Sequence, residues 1–250
     1  MEGKVNRLKR LYNHTDKLFV VPMDHGITLG PIPGITDIEQ AISAVFDGGA
    51  DAVVLHKGLV RYYNNILTPA SGELIIHVSA STELSPHANR KELVASVEHA
   101  VRLGATAIST HTNIGAHTEP EMLKDLGMIA EECDKWGMPL LAMMYVRNGN
   151  KQDEFSPTRI ALAARVAEEL GADLVKVNYT GSPDTFAEVI SGVKIPVLIA
   201  GGPKMDSTQD VLTMIEDAVR AGANGISIGR NVFQHANPAD LSAKIRRILS

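Results

Sequence analysis

In Asp173-Leu174-Val175-Lys176-Val177-Asn178-Tyr179 a lysine stands inside a short apolar run. A strand covered on both faces leaves such a side chain no route to water, because its stem cannot carry the amine out to the surface. A desolvated amine loses basicity and becomes a nucleophile near neutral pH, and its natural partner is a carbonyl carbon, with which it forms a Schiff base. The bland alternative is a lysine at a strand mouth paired with an acidic neighbour. Lys57, in Leu55-His56-Lys57-Gly58, is the rival amine. It precedes a glycine and reads as a solvated or phosphate-contacting lysine further into a loop.

Other chemistry-bearing residues end similar runs. Asp24 closes Leu18–Met23, where a carboxylate serves as general base or amine partner; otherwise it caps the following loop. Tyr145 closes Leu140–Tyr145 and its hydroxyl can donate or relay a proton; otherwise it packs as an amphipathic aromatic on the rim. Ala200-Gly201-Gly202-Pro203-Lys204 and Ile228-Gly229-Arg230-Asn231 are two glycine turns. Glycines let backbone N–H groups approach an anion, and Arg230 adds a guanidinium fork, so the pair reads as a phosphate site. Its alternative is two tight turns beside a solvated arginine.

His25, His56, His77 and His111 fall at or near the ends of the first four runs, where a metal-dependent enzyme would place ligands. No His-x-His pair, His-x-x-x-His pair or acidic cluster completes a set. Rim histidines contacting phosphate or hydroxyls are therefore the expectation, with no metal and no cofactor. Cys133, the only cysteine, sits inside a helical pattern and reads as a packed helix residue.

These positions make sense only if eight elements bring them together. The apolar runs are Leu18–Met23, Ala52–Leu55, Leu74–His77, Ala105–Thr110, Leu140–Tyr145, Leu174–Val177, Val197–Ala200 and Ile226–Ile228. Most are continuous rather than alternating, as parallel strands covered on both faces are. Helical patterns lie between them. A Thr36–Glu39 capping box opens one that runs to Asp47. Ser156-Pro157, Ser182-Pro183, Ser207 and Asn237-Pro238 open others, and Arg90–Leu103 and Glu119–Trp136 supply two more. Gly58–Gly72 shows no convincing helix. Gly-Ala recurs before four strands, at residues 49, 104, 171 and 222, where glycine ends a helix in the left-handed conformation. Eight strand–helix units in about 250 residues predict a closed (β/α)8 TIM barrel of the α/β class rather than an open sheet. Ligands then bind at the C-terminal ends of the strands. One domain spans residues 1–250, with residues 1–17 as a leading segment.

Composition narrows the function. A hydrophobic content of 44% supports a large core, and a net charge of −5 argues against a basic nucleic-acid face. A single cysteine excludes a disulfide scaffold and multi-cysteine metal sites, and agrees with a reducing cytoplasm. No apolar run approaches the roughly 20 residues that span a bilayer. The expectation is a cytoplasmic protein with no nucleic-acid or membrane partner.

Taken together, the motifs resemble one family. They are Val20-Val21-Pro22-Met23-Asp24-His25-Gly26 with Gly30-Pro31-Ile32, Leu55-His56-Lys57-Gly58, Asp125 to Glu131, Trp136-Gly137-Met138-Pro139 to Tyr145, Lys176 with Tyr179-Thr180-Gly181, Ala200 to Lys204, and Gly229 to His235. The chain resembles, over nearly its whole length, the archaeal-type class I fructose-bisphosphate aldolases and the related 2-amino-3,7-dideoxy-D-threo-hept-6-ulosonate synthases. The resemblance implies Lys176 as Schiff-base lysine, Tyr145 as proton donor and Asp24 as proton acceptor. It implies Gly201, Gly202, Gly229 and Arg230 as phosphate-binding turns, with His25, Gly26 and Arg147 beside them for substrate. Its substrates are a phosphorylated ketose and, in the synthases, an aldehyde acceptor, L-aspartate semialdehyde, on a route to aromatic amino acids. It also implies a homo-oligomer, often a decameric ring.

Met143-Met144-Tyr145 is closer to the synthases, since the aldolases tend to carry tryptophan close before this tyrosine and the only tryptophan here is Trp136. The synthase is the first reading and the class I fructose-1,6-bisphosphate aldolase the second. A metal-dependent barrel enzyme or a non-catalytic sugar-phosphate-binding protein stands behind both. The chain departs from the family at Val146-Arg147-Asn148, where Pro-Arg-Gly is usual, and this loosens a loop expected over the substrate.

Overall fold

The structure, a computed structural model, describes residues 2–12, 14–68 and 70–250. Eight strands close in sequence order into one parallel barrel. They are β1 (Leu18–Pro22), β2 (Ala52–His56), β3 (Glu73–His77), β4 (Ala107–Ile114), β5 (Leu140–Val146), β6 (Leu174–Asn178), β7 (Val197–Ala200) and β8 (Gly225–Ser227). Ring closure pairs Leu18, Phe19 and Val20 of β1 with Gly225, Ile226 and Ser227 of β8. Gly225 permits it: its φ is +142°, and a Cβ there would stand 2.1 Å from Leu18 O.

Alternate residues of each strand point inward, and the inner surface changes character with height. Leu18, Val20, Ala52, Val54, Ile75, Ala107, Leu141, Leu174 and Leu198 fill the lower barrel with one apolar cluster. Higher up, the same inward phase carries His56, His77 and Lys176 two residues beyond Val54, Ile75 and Leu174, and Asp24, His111 and Tyr145 four residues beyond Val20, Ala107 and Leu141. The outward phase (Phe19, Val21, Val53, Val175, Val177, Ile199) packs under the surrounding helices in a second, larger cluster. Strands buried on both sides therefore read as continuous apolar runs until the inner face turns polar.

The helices are α1 (Glu2–Leu11), α2 (Ile38–Asp47), α3 (Lys57–Tyr63), α4 (Val97–Arg102), α5 (Glu119–Trp136), α6 (Pro157–Glu169), α7 (Pro183–Ser191), α8 (Thr208–Arg220), α9 (Arg230–Phe233) and α10 (Pro238–Ile248), with further single turns at Gly26–Leu29 and Asp153–Phe155. Ser182, Ser207 and Asn237 cap α7, α8 and α10 with side-chain oxygens as expected. The glycines at 49, 104, 171 and 222 all have positive φ, between 83° and 102°.

Four sequence expectations are corrected. The cap of α2 is Asp37, whose carboxylate accepts from Gln40 N, not Thr36. Helix α4 starts at Val97 rather than Arg90, because Glu92–Leu93 pairs with Ser79–Ala80 in a short antiparallel ribbon above β3. Helix α3 occupies part of the stretch from Gly58 to Gly72 that showed no helix. Strand β4 continues to Ile114, four residues beyond Thr110.

Helix α1 sits across the bottom of the barrel. Leu11 is fully buried in the inner cluster, with Leu8 and Tyr12 packed on it. Arg10 makes a two-pronged contact with Glu73, Nε to Oε1 at 3.0 Å and Nη2 to Oε2 at 2.7 Å. Lys4 pairs with Asp134 and, at 3.1 Å, with Asp173.

Candidate active site

The polar upper layer lines a cleft of about 540 Å³ at the C-terminal ends of the strands. Lys176 projects into it from the middle of β6, 6% exposed, in register with Met143 of β5 and Leu198 of β7. Tyr145 stands two residues above Met143, so its side chain falls on the same inward face as the lysine. Its ring lies 4.8 Å from that of His111, and the Arg147 guanidinium lies 5.2 Å from the ring on another side.

Asp24 enters from β1 with 15% of its side chain exposed. One carboxylate oxygen is 3.5 Å from His25 Nδ1 and the other 3.8 Å from His77 Nε2. Burial alone would raise its pKa. The imidazoles of His77 and His25 and the Lys176 amine outweigh that, and hold the carboxyl well below the usual carboxylate range. Asp24 is thus an anion facing an amine across the barrel mouth.

Two of the four rim histidines have side-chain hydrogen-bond partners, whereas His25 Nδ1 and His56 Nε2 are buried without one among the described residues. His77 Nδ1 shares a 2.8 Å hydrogen bond with Ser109 Oγ, and burial pushes its pKa down to about 3 although Asp24 opposes this. His111 Nε2 donates to Asn113 Oδ1 at 2.8 Å, and burial holds it well below its ordinary value. Burial likewise lowers His25 and His56. Among the described residues no three His, Cys, Asp or Glu side chains stand together as a metal ligand set.

The two glycine turns meet beside Lys176. Gly202 has φ +64°, Arg230 Nη2 donates to Gly202 O at 3.1 Å, and Gly229 opens the single turn of α9. A Cβ on Gly229 would stand 2.7 Å from both Pro22 O and His25 Cε1, so the close approach requires glycine. Buried Asn231 clamps the turn after β7. Its Nδ2 donates to Gly201 O at 2.8 Å and Pro203 O at 3.0 Å, and its Oδ1 accepts from Met205 N at 2.7 Å.

The cleft therefore brings together Asp24, His25, Tyr145, Arg147, Lys176, Gly201, Gly202, Gly229 and Arg230. Gly26 is exposed at the start of a helical turn and is not among the lining residues. Lys57 is not among the lining residues, and its ammonium donates to Val94 O. Cys133 is buried in α5, where burial pushes the thiol up to about 12 and keeps it unreactive. Sequence reasoning missed Lys91, Asn113, Glu154, Asn178 and Ser227, all in the lining. The inward phase of β4, β6 and β8 would have found Asn113, Asn178 and Ser227, since each lies two residues beyond an inward position.

A closed parallel barrel with a buried lysine, a facing carboxylate and a rim tyrosine defines an aldolase of the Schiff-base class. Residues 18–235 match the model of the DeoC/LacD family of aldolases, and the chain belongs to that family. A 2-amino-3,7-dideoxy-D-threo-hept-6-ulosonate synthase of Halobacterium salinarum is 42% identical over 249 residues, 99% of this chain and 91% of the relative. A 2-amino-4,5-dihydroxy-6-oxo-7-(phosphonooxy)heptanoate synthase of Streptomyces griseus is 41% identical over 245 residues, 97% of this chain and 89% of the relative. A solved Schiff base-forming fructose-1,6-bisphosphate aldolase superposes with a TM-score of 0.91 at 33% identity, covering 99% of this chain and 100% of the other. Among the described residues no helix is long and apolar enough to cross a membrane.

Proposed function

We propose that the protein is a synthase that transfers a ketose-derived enamine to an amino-aldehyde, forming 2-amino-3,7-dideoxy-D-threo-hept-6-ulosonate. Lys176 adds to the ketone carbon of a phosphorylated ketose, and loss of water gives an iminium. The carbon–carbon bond beyond the neighbouring carbon breaks, its electron pair moves to the iminium, and an aldehyde leaves as its hydroxyl proton is removed. The enamine left on Lys176 attacks the carbonyl carbon of L-aspartate semialdehyde. The new alkoxide takes a proton, and water releases the product and the free amine. Asp24 accepts and Tyr145 donates the protons of these steps, and His25, Arg147, Gly201, Gly202, Gly229 and Arg230 hold the substrate.

The observation that carries this reading is Lys176 buried on the inward face of β6 between Asp24 and Tyr145, with the glycine turns adjacent. Those turns favour a second reading for the product. A phosphate held at β7 and β8 lies on the strands next to Lys176, close to the iminium carbon. A donor bound that way keeps its phosphate on the enamine, as in the phosphonooxy product named for the Streptomyces griseus relative. The proposed assembly is a cytoplasmic homo-oligomeric ring, decameric by resemblance, which light scattering reads as a multiple of the chain mass.

Borohydride trapping tests the chemistry. With fructose 1,6-bisphosphate or a deoxy-keto ketose phosphate, peptide mass spectrometry should place one adduct on Lys176, and Lys176→Met should abolish both adduct and turnover while the barrel stays folded. With L-aspartate semialdehyde added, a seven-carbon amino sugar should form, and its mass decides whether phosphate is retained. Protonation of the enamine alone, with no seven-carbon product, would make the protein a fructose-1,6-bisphosphate aldolase. An adduct elsewhere would remove Lys176 from the reaction.

A further inference from the structure

Away from the phosphate turns the cleft has a second cationic pole, Lys91 and Arg147, of which Lys91 has no part in the chemistry described above. Lys91 lies on the segment that enters the ribbon strand Glu92–Leu93 above β3. In ring order β3 is four strands from β7, on the opposite side of the barrel. The Lys91 side chain is half-buried, lines the cleft, and donates to Ser81 Oγ at 2.5 Å. Its neighbour Arg90 is paired with Asp125 at 2.7 Å and Glu92 at 2.9 Å, but among the described residues Lys91 forms no ion pair. Arg147 shares this end of the cleft and is joined to Glu154, which also lines it. Among the described residues Asp24 is the one carboxylate whose charge reaches Lys91, without direct contact, and an ammonium partly withdrawn from water with no contacting counter-ion favours an anion supplied by a ligand.

Glu154 decides which anion. A carboxylate paired with Arg147 opposes a doubly charged phosphate and matches a ligand carrying an ammonium next to its own carboxylate. We propose that Lys91 and Arg147 bind the α-carboxylate of the acceptor, and Glu154 its α-ammonium, so that this pole selects an amino-acid aldehyde. The assignment rests on the synthase reading above for the identity of the acceptor. It places the aldehyde carbon of the acceptor toward Lys176, with its charged head away from the phosphate turns. The donor's phosphate and the acceptor's head group thus occupy opposite walls.

The test uses non-reacting probes, so that it does not depend on Schiff-base formation. L-Homoserine carries the same head group with an alcohol in place of the aldehyde. Calorimetric titration into the full-length protein should show binding, with Kd raised on the order of 10- to 100-fold in Lys91→Met, the range for one charge-assisted hydrogen bond. Lys91→Arg should recover part of the loss, and thermal melts report whether either variant is misfolded. 3-Aminopropan-1-ol, which lacks the carboxylate, should bind the wild type and Lys91→Met equally weakly. 4-Hydroxybutanoate, which lacks the ammonium, should bind Glu154→Gln at least as well as wild type. Homoserine binding that is absent, or unchanged in folded Lys91→Met and Lys91→Arg, would overturn the assignment. So would binding of glycerol 3-phosphate that depends on Lys91 while homoserine binding does not. Borohydride trapping is read separately: an adduct on Lys176 without homoserine binding rejects only the acceptor pole, and Lys91-dependent homoserine binding without an adduct rejects only the Schiff-base reading.

Discussion

Tyr145 and Lys176 reach the same cleft from adjacent strands, and the division of labour between them is separable by mutation. Tyr145→Phe keeps the ring that packs against His111 and removes only the hydroxyl. Borohydride trapping should persist in this variant, while turnover falls about 10²- to 10⁴-fold, the usual contribution of a positioned proton donor. Full turnover in Tyr145→Phe would return the residue to a packing role. His77 gives a second prediction at this scale. Its folded pKa of about 3 lies below the ordinary 6.5, so between these values the unfolded chain binds a proton that the folded chain refuses. Stability therefore rises with pH across this window and is lost on acidification, by about 1.4 kcal/mol per pH unit for each such histidine. His111 acts in the same direction. Denaturant midpoints between about pH 6 and 5 should fall steeply in the wild type and less steeply in His77→Asn. Equal slopes would mean that His77 is already protonated in the native barrel.

Elements position these residues, and they were unequally legible. The strands could be read because both faces of the lower barrel are apolar. Strand β4 was cut short because its inner face turns to His111 and Asn113 just where the outer face still holds it in the sheet. The ribbon and the late start of α4 depend on Ser79–Ala80 pairing with residues more than ten positions away, which no local pattern encodes. Helix α3 hid behind Gly58 and Asn64-Asn65. Lys176, Asp24 and Tyr145 were legible because strand ends are the places to look. Lys91 and Glu154 were not, because they come from crossover segments whose path is set by packing. Asn231 belongs with these, holding a loop some thirty residues away through three hydrogen bonds. Asn231→Ala should loosen the Gly201–Met205 turn and raise KM for the phosphorylated ketose about tenfold or more, with a smaller change in kcat. An unchanged KM would mean that the turn holds its shape without the clamp.

At the scale of the whole molecule, the barrel depends on closing its ring. Gly225 lies against the Leu18 backbone, so Gly225→Ala must push β8 from β1 or strain a positive φ. Destabilisation of a few kcal/mol is expected, and for a chain of this size each kcal/mol lowers Tm by about 2–4 °C. A melting temperature within a degree of wild type would show that the seam can open without cost. The other end of the molecule has a consequence for the fate of the enamine. With Leu11 and Tyr12 of the α1 segment seated under the lower apolar layers, the cleft is a vessel with one mouth. The water expelled when the iminium forms leaves by that mouth, and the water that later hydrolyses it returns the same way. On the synthase reading proposed above, an acceptor seated there stands in the path of returning water, so that transfer would gain over hydrolysis through occupancy of a shared doorway, with no change in the reactivity of the lysine below.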